Sequence, residues 1–221
     1  MMPGLVIFDC DGVLVDTEAI SNDVMSVVLA RHGFHASADE CHMRFVGRAI
    51  ESVQAEVEAE LGKSLGSDWP AIVRVETEAA FDRGVRPIPG ISEAIDEVVG
   101  ANMAYCVASS GKFSKMRKSL GKAGLLHHFE HVLFSAEQVG RGKPAPDLFL
   151  FAAEAMGVAP ADCIVIEDSV AGVQAAVAAG MDVLAYAGDP MSVRAGLVDT
   201  GARAFYDMAR LPSLLGLVNP R

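Results

Sequence analysis

Short, unbroken apolar runs alternate with stretches of helical periodicity along most of the chain. The runs are Leu5 to Phe8, Met103 to Ala108, Val132 to Phe134, Cys163 to Ile166 and Val183 to Tyr186, with Ala204-Phe205 a weaker last candidate. They are continuous rather than alternating polar and apolar, which is how strands buried on both faces read. Helical patterns fill the gaps at Ile91 to Val99, Ser114 to Ala123, Pro146 to Met156 and Val170 to Ala179. Gly100, Gly124, Gly157 and Gly180 follow these helices and suit left-handed C-terminal caps. Strand alternating with helix predicts an α/β fold: a doubly wound, Rossmann-like parallel sheet covered on both faces.

One block breaks the alternation. From about Asp16 to Arg83 no strand signal appears, only helical periodicity. Ser37-Ala38-Asp39-Glu40 reads as a capping box, and Ser67-Asp68-Trp69-Pro70 as a helix start. The exit, Asp82 to Gly90, is rich in Pro and Gly and reads as a hinge or linker. The expected organisation is an α/β core of residues 1–15 and 84–221, with an all-helical domain of residues 16–83 inserted after the first strand. That insertion is expected over the strand's carboxyl end. No internal repeat or low-complexity segment is present.

Length and composition narrow the class. The chain has 221 residues, half of them hydrophobic at 51%, enough for a sizeable core. Its apolar runs are too short to span a membrane, and MMPGLVIFDC lacks the basic start of a signal peptide, so the cytoplasm is the default location. A formal net charge of −11 argues against nucleic acid and anionic membranes as partners. A local cation can still admit an anionic substrate. Cys10, Cys41, Cys106 and Cys163 form no CxxC pair and read as buried free thiols, and the His127-His128 and His131 cluster reads as structural.

Four polar clusters fall at or just beyond the carboxyl ends of expected strands: Asp9-Cys10-Asp11-Gly12, Ser109-Ser110-Gly111, Lys143-Pro144 and Glu167-Asp168-Ser169. Each alone has a plain structural explanation as a turn, a helix start or a solvated loop. In a doubly wound sheet, however, the carboxyl ends share one edge, so the four can converge. Together they hold acids, a hydroxyl, a lysine and glycine-freed amides, which suits a divalent metal and a phosphoryl group. Aspartate is already ionised at neutral pH and can attack phosphorus without a base, provided a cation offsets the charge repulsion.

FDCDGVLVDTE, VASSG, GKPAPDLF and VIEDSVAGVQAAVAAGM resemble, in order, the four motifs of the haloacid dehalogenase-like superfamily, in its phosphatase and phosphomutase branch. The resemblance covers nearly the whole chain, and the helical insertion is similar to that family's helical cap. VASSG followed by KMRKSLGKAGLLHHF, and EDSVAGVQAAVAAGMDV with a later Gly-Asp-Pro, resemble the bacterial 6-phosphogluconate phosphatase type in particular. The resemblance implies a nucleophilic Asp9, an acid–base Asp11, and Ser109 with the amides after it, Ser110 included, on the phosphate oxygens. It implies charge balance by Lys143, a tight turn at Gly12, and Mg²⁺ held by Asp9, the Asp11 carbonyl and Asp168, with Glu167 in direct or supporting contact.

The same resemblance separates reactions. Halide displacement needs no proton donor, so Asp11 argues against dehalogenation; Lys63 at a helix end argues against an imine-forming cap lysine. Hexose phosphomutases of this branch carry a histidine where this chain has Ser21, which favours water as acceptor. A phosphate-sensing regulator without turnover would have no need of both Asp9 and Asp11. The expected function is Mg²⁺-dependent hydrolysis of a small phosphorylated metabolite, a sugar phosphate or phosphorylated sugar acid, by a monomer or homodimer. Gly47 and Arg48, in Phe45-Val46-Gly47-Arg48 between two cap helices, are the candidate specificity residues, with Arg44 and Lys112 behind them. Val15-Asp16-Thr17 and Gly84 to Pro89 are the expected hinges.

Overall fold

The computed structural model describes residues 2–45, 48, 50–189 and 196–217. The chain divides into two compact units: residues 1–16 with 86–221, and residues 17–85.

The first unit is built on a six-stranded sheet. Its strands are β1 (Leu5–Phe8), β4 (Ala104–Ser109), β5 (Leu133–Ser135), β6 (Cys163–Glu167), β7 (Asp182–Tyr186) and β8 (Arg203–Phe205). The order is β5-β4-β1-β6-β7-β8, with every pairing parallel. All four residues of β1 are fully buried, which is why Leu-Val-Ile-Phe shows no alternation. From β1 the chain winds outward through β4 and β5, then crosses back to β6 and proceeds to β8. The winding therefore reverses at β1, and the carboxyl end of β1 is the switch point where α/β sheets place ligands. One face of the sheet packs Leu5, Ile7, Cys106, Ala108 and Val165 against Leu148, Phe149 and Ala152 of a helix that follows β5.

Helices α5 (Ile91–Gly100), α6 (Phe113–Lys122), α7 (Leu126–Phe129), α8 (Asp147–Ala155) and α9 (Val170–Ala178) connect these strands. Gly124, Gly157 and Gly180 adopt the expected left-handed conformation, with φ of 77°, 70° and 73°. Gly100 does not. Helix α5 runs through it, Asn102 N–H closes onto Val99 O at 3.0 Å, and Asn102 itself takes the positive φ of 52°. Asparagine tolerates that region better than most side chains, so the reversal falls two residues later than the glycine suggests.

The second unit holds α1 (Glu18–Arg31), α2 (Ala38–Phe45), α3 (Ile50–Leu61) and α4 (Trp69–Arg83). Its core gathers Val28, Leu29, Phe34, Cys41, Val57 and Trp69. The capping box is present: Ser37 N–H donates to Glu40 Oε2 at 2.8 Å, and Glu40 N–H to Ser37 Oγ at 3.1 Å. The chain leaves the first unit through β2 (Val15–Asp16) and re-enters it through β3 (Arg86–Pro87), which pair antiparallel. At two residues each, these strands carry no periodicity from which sequence could predict them. Among the described residues, no helix is long and apolar enough to cross a membrane, and all four cysteines are buried free thiols.

Candidate active site

Asp9 is the first residue past β1, and its N–H extends the ladder to Ile166 O at 2.9 Å. The chain then turns sharply: Leu14 and Val15 N–H both close onto Cys10 O, at 3.0 and 3.1 Å. Gly12 sits in this turn at φ 81°, where a side chain is strained. It is also required sterically, because a Cβ there would stand 1.9 Å from Asp168 Oδ2. Asp168 follows β6, the strand beside β1, so its carboxylate lies against the backbone just after Asp9.

Lys143 joins three strand ends. Its Nζ donates to Asp9 Oδ1, to Glu167 Oε1 at 2.7 Å and to Ala108 O at 3.1 Å. An ammonium has three protons, and all three are engaged. Below them Nζ lies over the ring of Phe149, 4.7 Å from its centroid. The Lys143 side chain is only 5% exposed. Asp9 and Glu167 hold it in its charged form against the desolvation that opposes them, and its pKa lies above the usual lysine value. Burial acts the other way on Asp9. Desolvation, reinforced by Glu167 and Asp11 and opposed by Lys143, raises its carboxyl to about 7. A divalent cation beside it would favour the ionised form.

Glu167 is fixed on both oxygens. Oε1 takes Lys143, while Oε2 accepts from Asp168 N at 2.9 Å, Ser169 N at 2.8 Å and Ser169 Oγ at 2.9 Å. Ser169 in turn caps α9 by accepting from Gly172 N at 3.1 Å. The acidic start of α9 is therefore one closed hydrogen-bonded turn.

At the end of β4, Ser109 is 2% exposed and its Oγ accepts from Gly111 N at 3.1 Å, while Ser110 is exposed. Ser135, at the end of β5, donates to Gly111 O at 2.8 Å and ties this loop to the neighbouring strand. Asp11, partly exposed, accepts from Lys115 Nζ at 2.7 Å.

The structure thus gathers Asp9, Lys143 and Glu167 at one edge of the sheet, with Ser109 next in chain to Ala108 and Asp168 against Gly12. The specificity candidates belong to the helical unit and are described within it. Gly47 lies outside the described residues. Arg48, in the helical unit, donates to Glu56 Oε2 at 2.6 Å, Ser52 Oγ at 3.2 Å and Arg44 O at 3.3 Å. Arg44 pairs with Glu56 at 2.7 Å and with Glu60, its guanidinium over the rings of Phe34 and Phe45. Both arginines are engaged in binding α2 to α3. Ser21 donates to Thr17 O at 2.9 Å, at the start of its own helix. Lys112 is exposed at the start of α6.

Three contributors escaped sequence reasoning. Lys115 reads as a surface lysine, and Phe149 and Gly172 as ordinary helix residues. Only the first left a signal: a cation in the first turn of a helix opposes the macrodipole and asks for a partner.

A family model described as haloacid dehalogenase-like hydrolase matches residues 6–186. The chain belongs to the haloacid dehalogenase-like hydrolases. Among curated relatives, it is similar to the 6-phosphogluconate phosphatase of Escherichia coli, with 33% identity over 95% of this chain and 93% of that one. It is also similar to hexitol phosphatase A of Escherichia coli, with 31% identity over 81% of each chain. Among solved structures, a family hydrolase from Deinococcus radiodurans, with bound phosphate and sodium, superposes with a TM-score of 0.88. Identity there is 33%, covering 99% of this chain and 98% of that one.

Proposed function

We propose that this hydrolase is a divalent-metal-dependent phosphatase of a small phosphorylated metabolite, a sugar phosphate or phosphorylated sugar acid, acting through an aspartyl-phosphate on Asp9. The observation that carries the reading is the buried Asp9–Lys143–Glu167 group at the switch point of the sheet. A carboxylate held by a lysine that is itself fixed on a second carboxylate and a carbonyl is oriented, and it has no freedom to turn away from an incoming phosphorus. The phosphatase names of the two relatives support the same class of substrate.

Asp9 attacks phosphorus, forming a bond from its carboxylate oxygen as the bond to the alcohol oxygen breaks. Asp11, two residues on, delivers a proton to that departing oxygen and then takes one from the water that cleaves the aspartyl-phosphate. Ser109 and the amides of the Ser110-Gly111 turn bind the non-bridging oxygens, and Gly12 keeps the turn open beneath them. Lys143 balances charge at the nucleophile, while Glu167, with both oxygens taken, fixes Lys143 and the turn leading to Asp168.

The metal would be held by Asp9, Asp168 and the Asp11 carbonyl. These donors are all oxygen, as a hard cation such as Mg²⁺ requires, and the bare Gly12 backbone is what admits the Asp168 carboxylate. The cation supplies charge neutralisation between carboxylate and phosphate and polarises the phosphoryl oxygens.

The test is phosphate release from a panel of sugar phosphates and 6-phosphogluconate, with Mg²⁺ and with chelator, for the wild type and Asp9→Asn. Metal-dependent release that disappears in Asp9→Asn is expected. Conversion of β-glucose 1-phosphate to glucose 6-phosphate without release would assign the chain to the mutases instead.

A further inference from the structure

Lys115 has no place in the mechanism above, yet its Nζ lies 2.7 Å from Asp11 Oδ2, across 104 residues of sequence. Three features make this more than a chance surface pair. Lys115 stands in the first turn of α6, where a cation is opposed by the helix macrodipole, so its position is sustained by Asp11 and not by the helix. That turn and the loop before it are anchored from the end of β5 and the turn after it: Phe113 N–H donates to Glu137 Oε2 at 3.1 Å, and Ser135 Oγ to Gly111 O at 2.8 Å. Gly111 marks where Ser109, Lys115 and Asp11 meet. A Cβ on it would lie at ordinary contact distances, 3.4 Å from Ser109 Oγ, 3.7 Å from Lys115 Cδ and 3.8 Å from Asp11 Oδ2, so all three groups lie on the same side of its Cα. The lysine stem, the acid and the buried serine are therefore packed around a single point.

We infer that Lys115 is a positioning residue for Asp11. By holding Oδ2 it sets the orientation of the Asp11 carboxyl for proton transfer to the oxygen of the departing alcohol. The inference rests on the acid–base role given to Asp11 above. Its consequence depends on the leaving group. An alkoxide such as a sugar oxygen needs a proton as it leaves, whereas 4-nitrophenolate leaves without one. The quantity to compare is kcat/KM, which reports the steps up to loss of the alcohol and is blind to the later cleavage of the aspartyl-phosphate.

Lys115→Met keeps the stem and removes the charge. Well-placed acid catalysis contributes on the order of a hundredfold or more. Lys115→Met is therefore expected to lower kcat/KM at least about tenfold on 6-phosphogluconate, or on the alkyl phosphate of the panel with the highest kcat/KM. On 4-nitrophenyl phosphate the loss is expected to be several-fold smaller. Lys115→Arg, which can reach the same oxygen, recovers most of the alkyl phosphate rate. Equal losses on both substrates, carried by KM, would mean that Lys115 binds the phosphoryl group and would overturn the inference. No loss on either would reduce the pair to an ordinary surface contact. A wild type without Asp9-dependent phosphate release would instead defeat the functional reading itself, and this inference with it.

Discussion

Alanine in place of a helical glycine ordinarily stabilises a protein by up to about 1 kcal/mol. At Gly172, inside α9, the opposite sign is expected. A Cβ there would stand 1.8 Å from Glu167 Oε1, 1.9 Å from its Cδ and 2.4 Å from Oε2. For Cδ to reach ordinary contact at ~3.5 Å, the carboxylate must retreat by about 1.6 Å. Elsewhere a side-chain end could swing aside, but this one is held by Lys143, the Asp168 and Ser169 amides and the Ser169 hydroxyl, all within 2.9 Å. Hydrogen bonds to a charged group are worth roughly 1.5–3 kcal/mol each, and separating a buried ion pair costs roughly 3–5 kcal/mol. After subtracting the helix-propensity gain, a net loss of about 3 kcal/mol remains, or roughly 6–12 °C in Tm for a chain of this size. The matched control is Gly121→Ala in α6, where the new Cβ meets only Leu126 Cδ2 at an ordinary 3.7 Å and the usual small gain is expected. Thermal unfolding of both variants, with phosphatase assays alongside, decides the matter. Gly172→Ala should be less stable and nearly inactive. If it is as stable as Gly121→Ala, Glu167 is not the fixed element described here.

Two further outcomes follow from the same cluster. Replacing Phe149 by 3,4,5-trifluorophenylalanine keeps the ring's shape but removes the electron-rich face beneath Lys143 Nζ. Since a desolvated cation–π contact is worth about 2 kcal/mol, phosphate release should fall progressively with fluorination; a flat series would reduce Phe149 to packing. The raised pKa of Asp9 sets a pH dependence. In metal-free protein the folded state keeps the Asp9 proton up to about 7, whereas an unfolded aspartate loses it near ~3.9. Stability should therefore decline as pH rises through that window, and Mg²⁺, by favouring the ionised form, should raise Tm more at pH 8 than at pH 5. Asp9→Asn, with no charge to bury, should flatten the metal-free profile; an unchanged profile would assign the effect to another group.

The parallel sheet was legible because burial on both faces leaves continuous apolar runs, and β1 shows this most plainly in Leu5-Val6-Ile7-Phe8. The acids at the end of β1 were legible only in company: alone they read as a turn, but polar clusters at four strand ends share one edge of a doubly wound sheet. Contacts between distant segments were not. Nothing near Lys115 in sequence marks Asp11 as its partner, and Phe149 scores as core whether or not an ammonium rests on its ring. Gly172 looks like a weak helix residue until Glu167 is seen filling the space where its side chain would be. The partners of Arg48 were equally hidden: nothing in Phe45-Val46-Gly47-Arg48 marks Glu56 and Ser52, on the next helix, as acceptors for its guanidinium.

The central claim is that Asp9 becomes phosphorylated during turnover. Borohydride added during steady-state hydrolysis reduces an acyl phosphate at its carbonyl carbon and releases phosphate, leaving homoserine in place of the aspartate. Peptide mass spectrometry should find homoserine at position 9, and only when substrate and Mg²⁺ are both present. Full turnover with Asp9 unmodified, or reduction at Asp11 or Asp168 instead, would contradict the account.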